Sequence, residues 1–210
     1  MISAGKIMMS LGLILMLGAA ALTGYNQWDD QRAGQESQNQ AISLIQEIQS
    51  QKLQIVEVPA AHKQDGNTGE DILRIAKLDG TYYMGVLTIP KLGRVLPVQC
   101  ECSPENLRNA PCRYSGDVRG GELVICAHNY RNHFGGLSGL TAGDSVVFTD
   151  LEGKQIFYEV REILTTQATD VEGMISSGYD LTLFTCNYGG QERVTVRCVR
   201  SEALKGVSVA

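Results

Sequence analysis

The sequence predicts an all-β domain, a closed barrel of seven or eight strands with short helices, set behind an apolar helix and a helical stalk. Three observations carry that expectation. After Leu78 the chain becomes a series of short apolar runs broken by Gly, Pro or Asp about every eight to twelve residues, the punctuation of a sheet-dominated domain. Residues 7–24, IMMSLGLILMLGAAALTG, carry no charge. Between the two lies a Gln-rich stretch whose few apolar residues fall near a helical period.

The uncharged run of 18 residues is about the minimum that crosses a hydrocarbon core of roughly 30 Å. Lys6 and the amino terminus precede it, and Asp29 and Asp30 follow. The positive-inside rule therefore places the amino terminus in the cytoplasm and everything after Tyr25 outside. A cleaved signal peptide is the alternative, because Ala19, Ala20 and Ala21 offer small residues to a peptidase. A buried core helix fits less well, since no polar face interrupts the run. Residues 1–25 are thus expected to form a cytoplasmic tip and membrane anchor, 26–78 a stalk and linker, and 79–210 the barrel. In the stalk, Ile42, Ile45, Ile48 and Leu53 form a narrow helical stripe. The following PAAHKQDGNTGED has no period and reads as a flexible linker, with His62 solvated in it.

Within the barrel the expected strands are 83–89, 95–98, 122–127, 145–148, 155–165, 179–185 and 193–199. Ser103-Pro104-Glu105 combines an N-cap, Pro at the first position and an acid in the first turn, which predicts a short helix to about Asn109. Asp170 caps another helical turn. The net charge of -5 comes without a Lys/Arg cluster, which argues against nucleic acid as a partner.

Six cysteines stand at 100, 102, 112, 126, 186 and 198. If Cys186 is a free nucleophile, an odd number remains, which cannot all pair within one chain. Cys198 alternates with Val194 and Val196 and reads as a core thiol. Cys100, Cys102 and Cys112 are near enough to pair or to hold zinc. Their spacing is not that of a zinc knuckle and no His is close, so no metal site is expected.

The chemistry concentrates in YDLTLFTCNYGGQERVTVRC, residues 179–198, two strands joined by a short Gly-containing loop. The first strand ends at Cys186 and the second begins at Arg193, so thiol and guanidinium face each other at the rim of the sheet. A free thiol has a pKa of about 8.5, and a fixed cation beside it favours either its thiolate or the oxyanion it creates. Arg does so without exchanging a proton. An acid is also needed for a leaving amine, and His128, at the end of the run Glu-Leu-Val-Ile-Cys-Ala, is the histidine that sits at a strand end. His133 lies in the loop beyond. Thr185, Asn187 and His133 are candidates to line a substrate groove, although Thr185 faces opposite to Cys186 along its strand. Arg197, on the same side as Arg193, is the natural backup cation.

With those residues in view, the chain resembles the sortases. TLFTC at 182–186 with Arg193 seven residues on resembles their signature strand, AHNYRNHFGGLSGLTAGDSVVF at 127–148 their histidine strand and the turn after it, and YYMGVLTIPKLGRVLPV at 82–98 their first hairpin. The resemblance spans roughly residues 82–200 in family order. It implies an eight-stranded antiparallel barrel, a Cys186-His128-Arg193 site and a transpeptidase that cuts an LPXTG-like sorting signal through a thioacyl intermediate. Its partners would be surface proteins bearing that signal, a cell-wall peptide amine as acceptor and the membrane bilayer of a Gram-positive cell. Ala127 stands where many sortases have Gly. The loop after Cys186 is short, and neither a second apolar segment nor an Asp-Pro-aromatic lid is seen, which points to a class B-like or unassigned clostridial-type enzyme and away from pilin-type class C. No cofactor is expected. The family leaves calcium open, but residues 166–178 offer only Asp170 and Glu172 as hard ligands. The alternatives are a thiol peptidase that mainly hydrolyses, a catalytically silent binding barrel, or a redox switch between Cys126 and Cys186.

Overall fold

The computed structural model describes residues 4–59, 72–187 and 189–202. His62 and most of the linker lie outside the described residues. Helix α1 (Ala4–Ser50) runs unbroken from the apolar segment through the stalk. It leads into strands β1 (Ile55–Pro59) and β2 (Ile72–Leu78), so two strands lie within the stretch expected to be stalk and linker. The remaining strands are β3 (Thr81–Ile89), β4 (Arg94–Gln99), β5 (Cys112–Asp117), β6 (Gly121–Cys126), β7 (Ser145–Asp150), β8 (Gln155–Gln167), β9 (Leu181–Cys186) and β10 (Glu192–Arg200). Two short helices accompany them, α2 (Pro104–Asn109) and α3 (Val171–Ile175). Both begin as expected, with the side chains of Ser103 and Asp170 accepting from the third residue on.

Eight strands close into a barrel in the order β3-β4-β5-β6-β9-β10-β8-β7, and β7 returns to pair with β3. Closure works because β3 changes partner along one edge. Its first residues pair with β2 and its later ones with β7. The change occurs at Gly85, where a Cβ would sit 2.6 Å from the Phe148 ring, so only Gly admits the approach of β7. The barrel is mixed rather than wholly antiparallel. β4 meets β5 in parallel at one residue pair, and β6 runs parallel to β9 over four. The second arises because the chain passes through β7, β8 and α3 before β9, and so enters beside β6 from the same end instead of through a hairpin.

Alternation along the strands separates two apolar faces. Leu87, Ile89, Leu123, Ile125, Phe148, Leu183 and Val196 point inward and fill the barrel. On the outer wall Val124, Cys126 and Phe184 join Cys112 and Met174 in a second cluster, with Leu107 of α2 packed on it. The stalk part of α1 is fastened to the barrel, not free of it. Its buried residues Ala33, Ser37, Ala41, Leu44 and Ile48 recur at helical spacing, and Leu44 and Ile48 cover Tyr83 and Val86 of β3. Of the expected stripe, Ile45, Ile48 and Leu53 pack against the barrel, and Ile42 turns away, 48% exposed.

Candidate active site

Three neighbouring strands bring the expected trio into one row. β6 and β9 are parallel with Cys126 beside Phe184. One step on, the Ala127 N–H donates to the Phe184 carbonyl at 3.2 Å, and Thr185 Oγ1 donates to the Ala127 carbonyl at 2.8 Å. His128, next along the chain, therefore arrives level with Cys186. On the other side Cys186 is directly opposite Arg193 in the β9–β10 pair. Directly opposed residues place their Cβ atoms about 5 Å apart. By the alternation that points Leu123, Ile125 and Ala127 inward, His128, Cys186 and Arg193 share the outer face, next along it from the cluster of Cys126, Phe184 and Tyr114. Tyr114 meets the Phe184 ring edge-on at 5.2 Å.

The electrostatics favour a neutral imidazole. Half-burial depresses the His128 pKa below its usual value, and the Arg108 guanidinium in α2 lowers it further, while Asp29 and Cys102 pull the other way. Cys186 is half-buried at the strand end. Arg193 turns its Nη1 toward the loop, donating to the carbonyls of Gly190 at 3.0 Å and Glu192 at 3.1 Å. A thiol, an imidazole and a guanidinium level with one another on neighbouring strands are the residue types that nucleophilic acyl transfer draws on.

The other sequence candidates have structural partners of their own. Thr185 is buried and points inward, where its bond to Ala127 ties the histidine strand to the cysteine strand. Asn187 closes the β9–β10 loop, its Nδ2 donating to the Glu192 carboxylate at 2.9 Å. His133 is fully buried against the backbone of Ala33 in α1, and desolvation drives its pKa down to about 4. Arg197 is committed to holding α3, donating to Glu162 at 3.1 Å and to the Gly173 carbonyl at 3.0 Å with its guanidinium over Tyr179, so it is not a spare cation. Cys126 meets Cys102 at an Sγ–Sγ distance of 2.9 Å rather than Cys186, and Cys100 belongs to the barrel interior, as does Cys198. The partner that meets Cys126 is thus Cys102, in the turn between β4 and α2, and not Cys186.

Residues far away in sequence complete the surroundings of His128. The Tyr130 ring lies 5.0 Å from that of His128 and 5.4 Å from that of His133. Its hydroxyl donates to Asp29 at 2.6 Å, and the Arg131 N–H donates to Asp30 at 2.7 Å. The first turns of α1 beyond the apolar run therefore clamp the loop that follows the histidine. The two aspartates were visible in the sequence only as flanking charge. Arg108 carried no sequence signal beyond its place at the end of a capped helix.

A family profile described as a sortase domain matches residues 87–201, more than half of the chain. No curated protein matches at a significant level. Among solved structures, sortase C from Clostridium perfringens is 28% identical, with 57% of this chain and 70% of that one covered and a TM-score of 0.51. Sortase C1 from Streptococcus agalactiae is also 28% identical over 60% of this chain and 70% of its own, with a TM-score of 0.53. Sortase C-3 from Streptococcus pneumoniae shares the fold across 81% of this chain and 84% of its own at 21% identity, with a TM-score of 0.54.

Proposed function

The chain belongs to the sortase family of cysteine transpeptidases, and from that premise we propose that Cys186, His128 and Arg193 cleave an LPXTG-like sorting signal and pass its acyl part to an amine of the cell wall. The observation that carries this is the single row of three residues across β6, β9 and β10, with the thiol in the middle. The Cys186 thiolate attacks the carbonyl carbon of the Thr, and Arg193 holds the resulting oxyanion together with backbone N–H groups near Cys186. His128 as imidazolium protonates the departing Gly amine, leaving a thioacyl enzyme. The neutral imidazole then takes a proton from the incoming amine, which displaces the thiolate. The scheme draws nucleophile, acid and oxyanion donor from the chain itself and needs no cofactor.

One consequence is slow turnover. The depressed His128 pKa makes the imidazolium a stronger acid but a scarcer one at neutral pH, so the thiolate–imidazolium form is a minor population.

The helix that carries residues 7–24 is long and apolar enough to cross a membrane, and none of that apolar window is buried against the barrel. With Lys6 before it and Asp29 and Asp30 after, we place the amino terminus in the cytoplasm and the barrel outside, beside the substrates that a sortase joins to the wall.

The test incubates the detergent-solubilised full chain with a sorting-signal pentapeptide, with and without an amine acceptor, and weighs the products. Aminolysis product that appears only with Cys186 intact supports transpeptidation. Hydrolysis unchanged by acceptor reassigns the enzyme as a peptidase, and turnover by Cys186→Ala rejects the scheme. Arg193→Ala should slow the reaction by about 10²- to 10³-fold, the scale of one oxyanion donor. A loss under about tenfold removes Arg193 from that role.

A further inference from the structure

A second set of thiols stands on the outer wall beside this row. Cys102, in the turn between β4 and α2, is exposed, whereas Cys112 at the start of β5 and Cys126 at the end of β6 are buried and directly opposite each other. Cys102 reaches over both. Its Sγ lies 2.9 Å from Cys126 Sγ. Each buried thiol can place its one proton on a backbone carbonyl, Cys112 on that of Ala110 at 3.4 Å and Cys126 on that of Cys112 at 3.6 Å.

This arrangement has the chemistry of an exchange site. The facing thiols of Cys112 and Cys126 stabilise a negative charge on Cys102 and hold its thiol well below the ordinary range, while both of them are pushed up. It is the exposed member of the group that carries the activated sulfur, so a reagent in solvent meets the nucleophile first. Cys126 waits behind it, shielded from solvent and in direct contact with its sulfur.

We propose that Cys102 and Cys126 form a dithiol site, separate from Cys186, that is oxidised to a disulfide by low-molecular-weight disulfides outside the cell. The Cys102 thiolate attacks one sulfur of the small disulfide, forming a mixed disulfide and releasing one thiolate of the reagent. Cys126 then loses its proton and attacks the Cys102 sulfur, expelling the second reagent thiolate. The protein thiols are oxidised by two electrons, and the small disulfide is reduced to two thiols. The bond closes the turn before α2 onto β6, two residues ahead of His128. The exposure to oxidant rests on the outward orientation proposed above, but the reaction itself does not require Cys186 to be the nucleophile.

The experiment uses the full chain carrying Cys186→Ala in detergent micelles, so that labelling at the transpeptidase thiol does not enter. The reduced protein is treated with oxidised glutathione, remaining thiols are alkylated, and the digest is mapped by mass spectrometry without reduction. The expected result is a peptide pair joined through Cys102 and Cys126, lighter by two hydrogens and reversed by a phosphine. The link should survive Cys112→Ser and vanish with Cys102→Ser, an exposed position where loss of fold is not at issue. A link from Cys112 to either partner, or alkylation of all the remaining thiols after oxidant treatment, overturns the assignment. If Cys186→Ala retains transpeptidase activity while the link forms, the scheme for Cys186 fails and the dithiol site stands.

Discussion

Acidification should loosen helix α1 through one histidine. His133 is fully buried beneath Ala33, and desolvation, with smaller contributions from His128 and Arg94, lowers its pKa from 6.5 to about 4. Between those values the unfolded chain holds a proton at this position that the folded chain does not. Stability therefore falls as pH drops from about 6.5, and the loss is complete below about 4. At about 1.36 kcal/mol per pH unit the gap is worth about 3 kcal/mol, a large share of the margin of an ordinary domain. His133→Leu, neutral and of similar bulk, removes this titration while leaving every carboxylate in place. Urea unfolding of both proteins in micelles from pH 7 to pH 4 then isolates the effect. The parent should lose about 3 kcal/mol more than the variant across the window. Hydrogen exchange should report part of it as faster exchange in residues 29–41, since undocking α1 is the shortest route by which water reaches the ring. Equal losses in the two proteins, or an imidazole signal from His133 titrating near its ordinary value, would refute the reasoning.

Other outcomes follow from the same contacts. Removing the cation near the His128 imidazole in Arg108→Gln should raise the His128 pKa, and, with His128 as the proposed acid, the corresponding limb of the pH–rate profile should move to higher pH; an unmoved limb would place Arg108 too far away to matter. At Gly34 a Cβ would lie 2.6 Å from Asn132 Cβ, so Gly34→Ala should cost about 1–3 kcal/mol of stability, with Asn132→Gly restoring most of it in the double variant. Thr185→Val deletes the buried bond to the Ala127 carbonyl and leaves that oxygen unpaired, for a loss of about 1–3 kcal/mol in urea unfolding, with a kcat decrease if the histidine strand shifts.

What was readable in the sequence was mostly local. The β9–β10 hairpin is a short segment, so the facing of Cys186 and Arg193 follows from a loop of a few residues and needed no knowledge of the fold. The caps at Ser103 and Asp170 are equally local and form as read. β5 escaped because register shifts around Ser115 and the left-handed Gly116 break the alternation that marks a strand. β2 has an apolar pattern of its own, but its neighbourhood of Gly, Asn and Asp masked it. The parallel contact of β6 with β9 depends on which strands meet, which periodicity does not encode. The docking of α1 was hidden for a different reason. Its contact stripe begins with Ala33, Gly34, Ser37 and Ala41, small residues chosen for close approach, and a search for large apolar side chains passes over them. Asp29, separated from Tyr130 by 101 positions, had no local partner to betray it.

The unbroken course of α1 has a mechanical meaning. Asp29 follows the last residue of the apolar run by five positions, about 7–8 Å of helix at 1.5 Å per residue. With that run in a bilayer, as proposed, the clamp from Asp29 and Asp30 to the histidine loop acts as a strut rather than a tether. It would then hold the cysteine at a set height and bearing above the lipid, and substrates in the same membrane would be met by lateral diffusion along the surface. Freeing the barrel from the strut would exchange that two-dimensional search for one through solution, and an acyl donor held in the same membrane would lose the advantage of effective concentration.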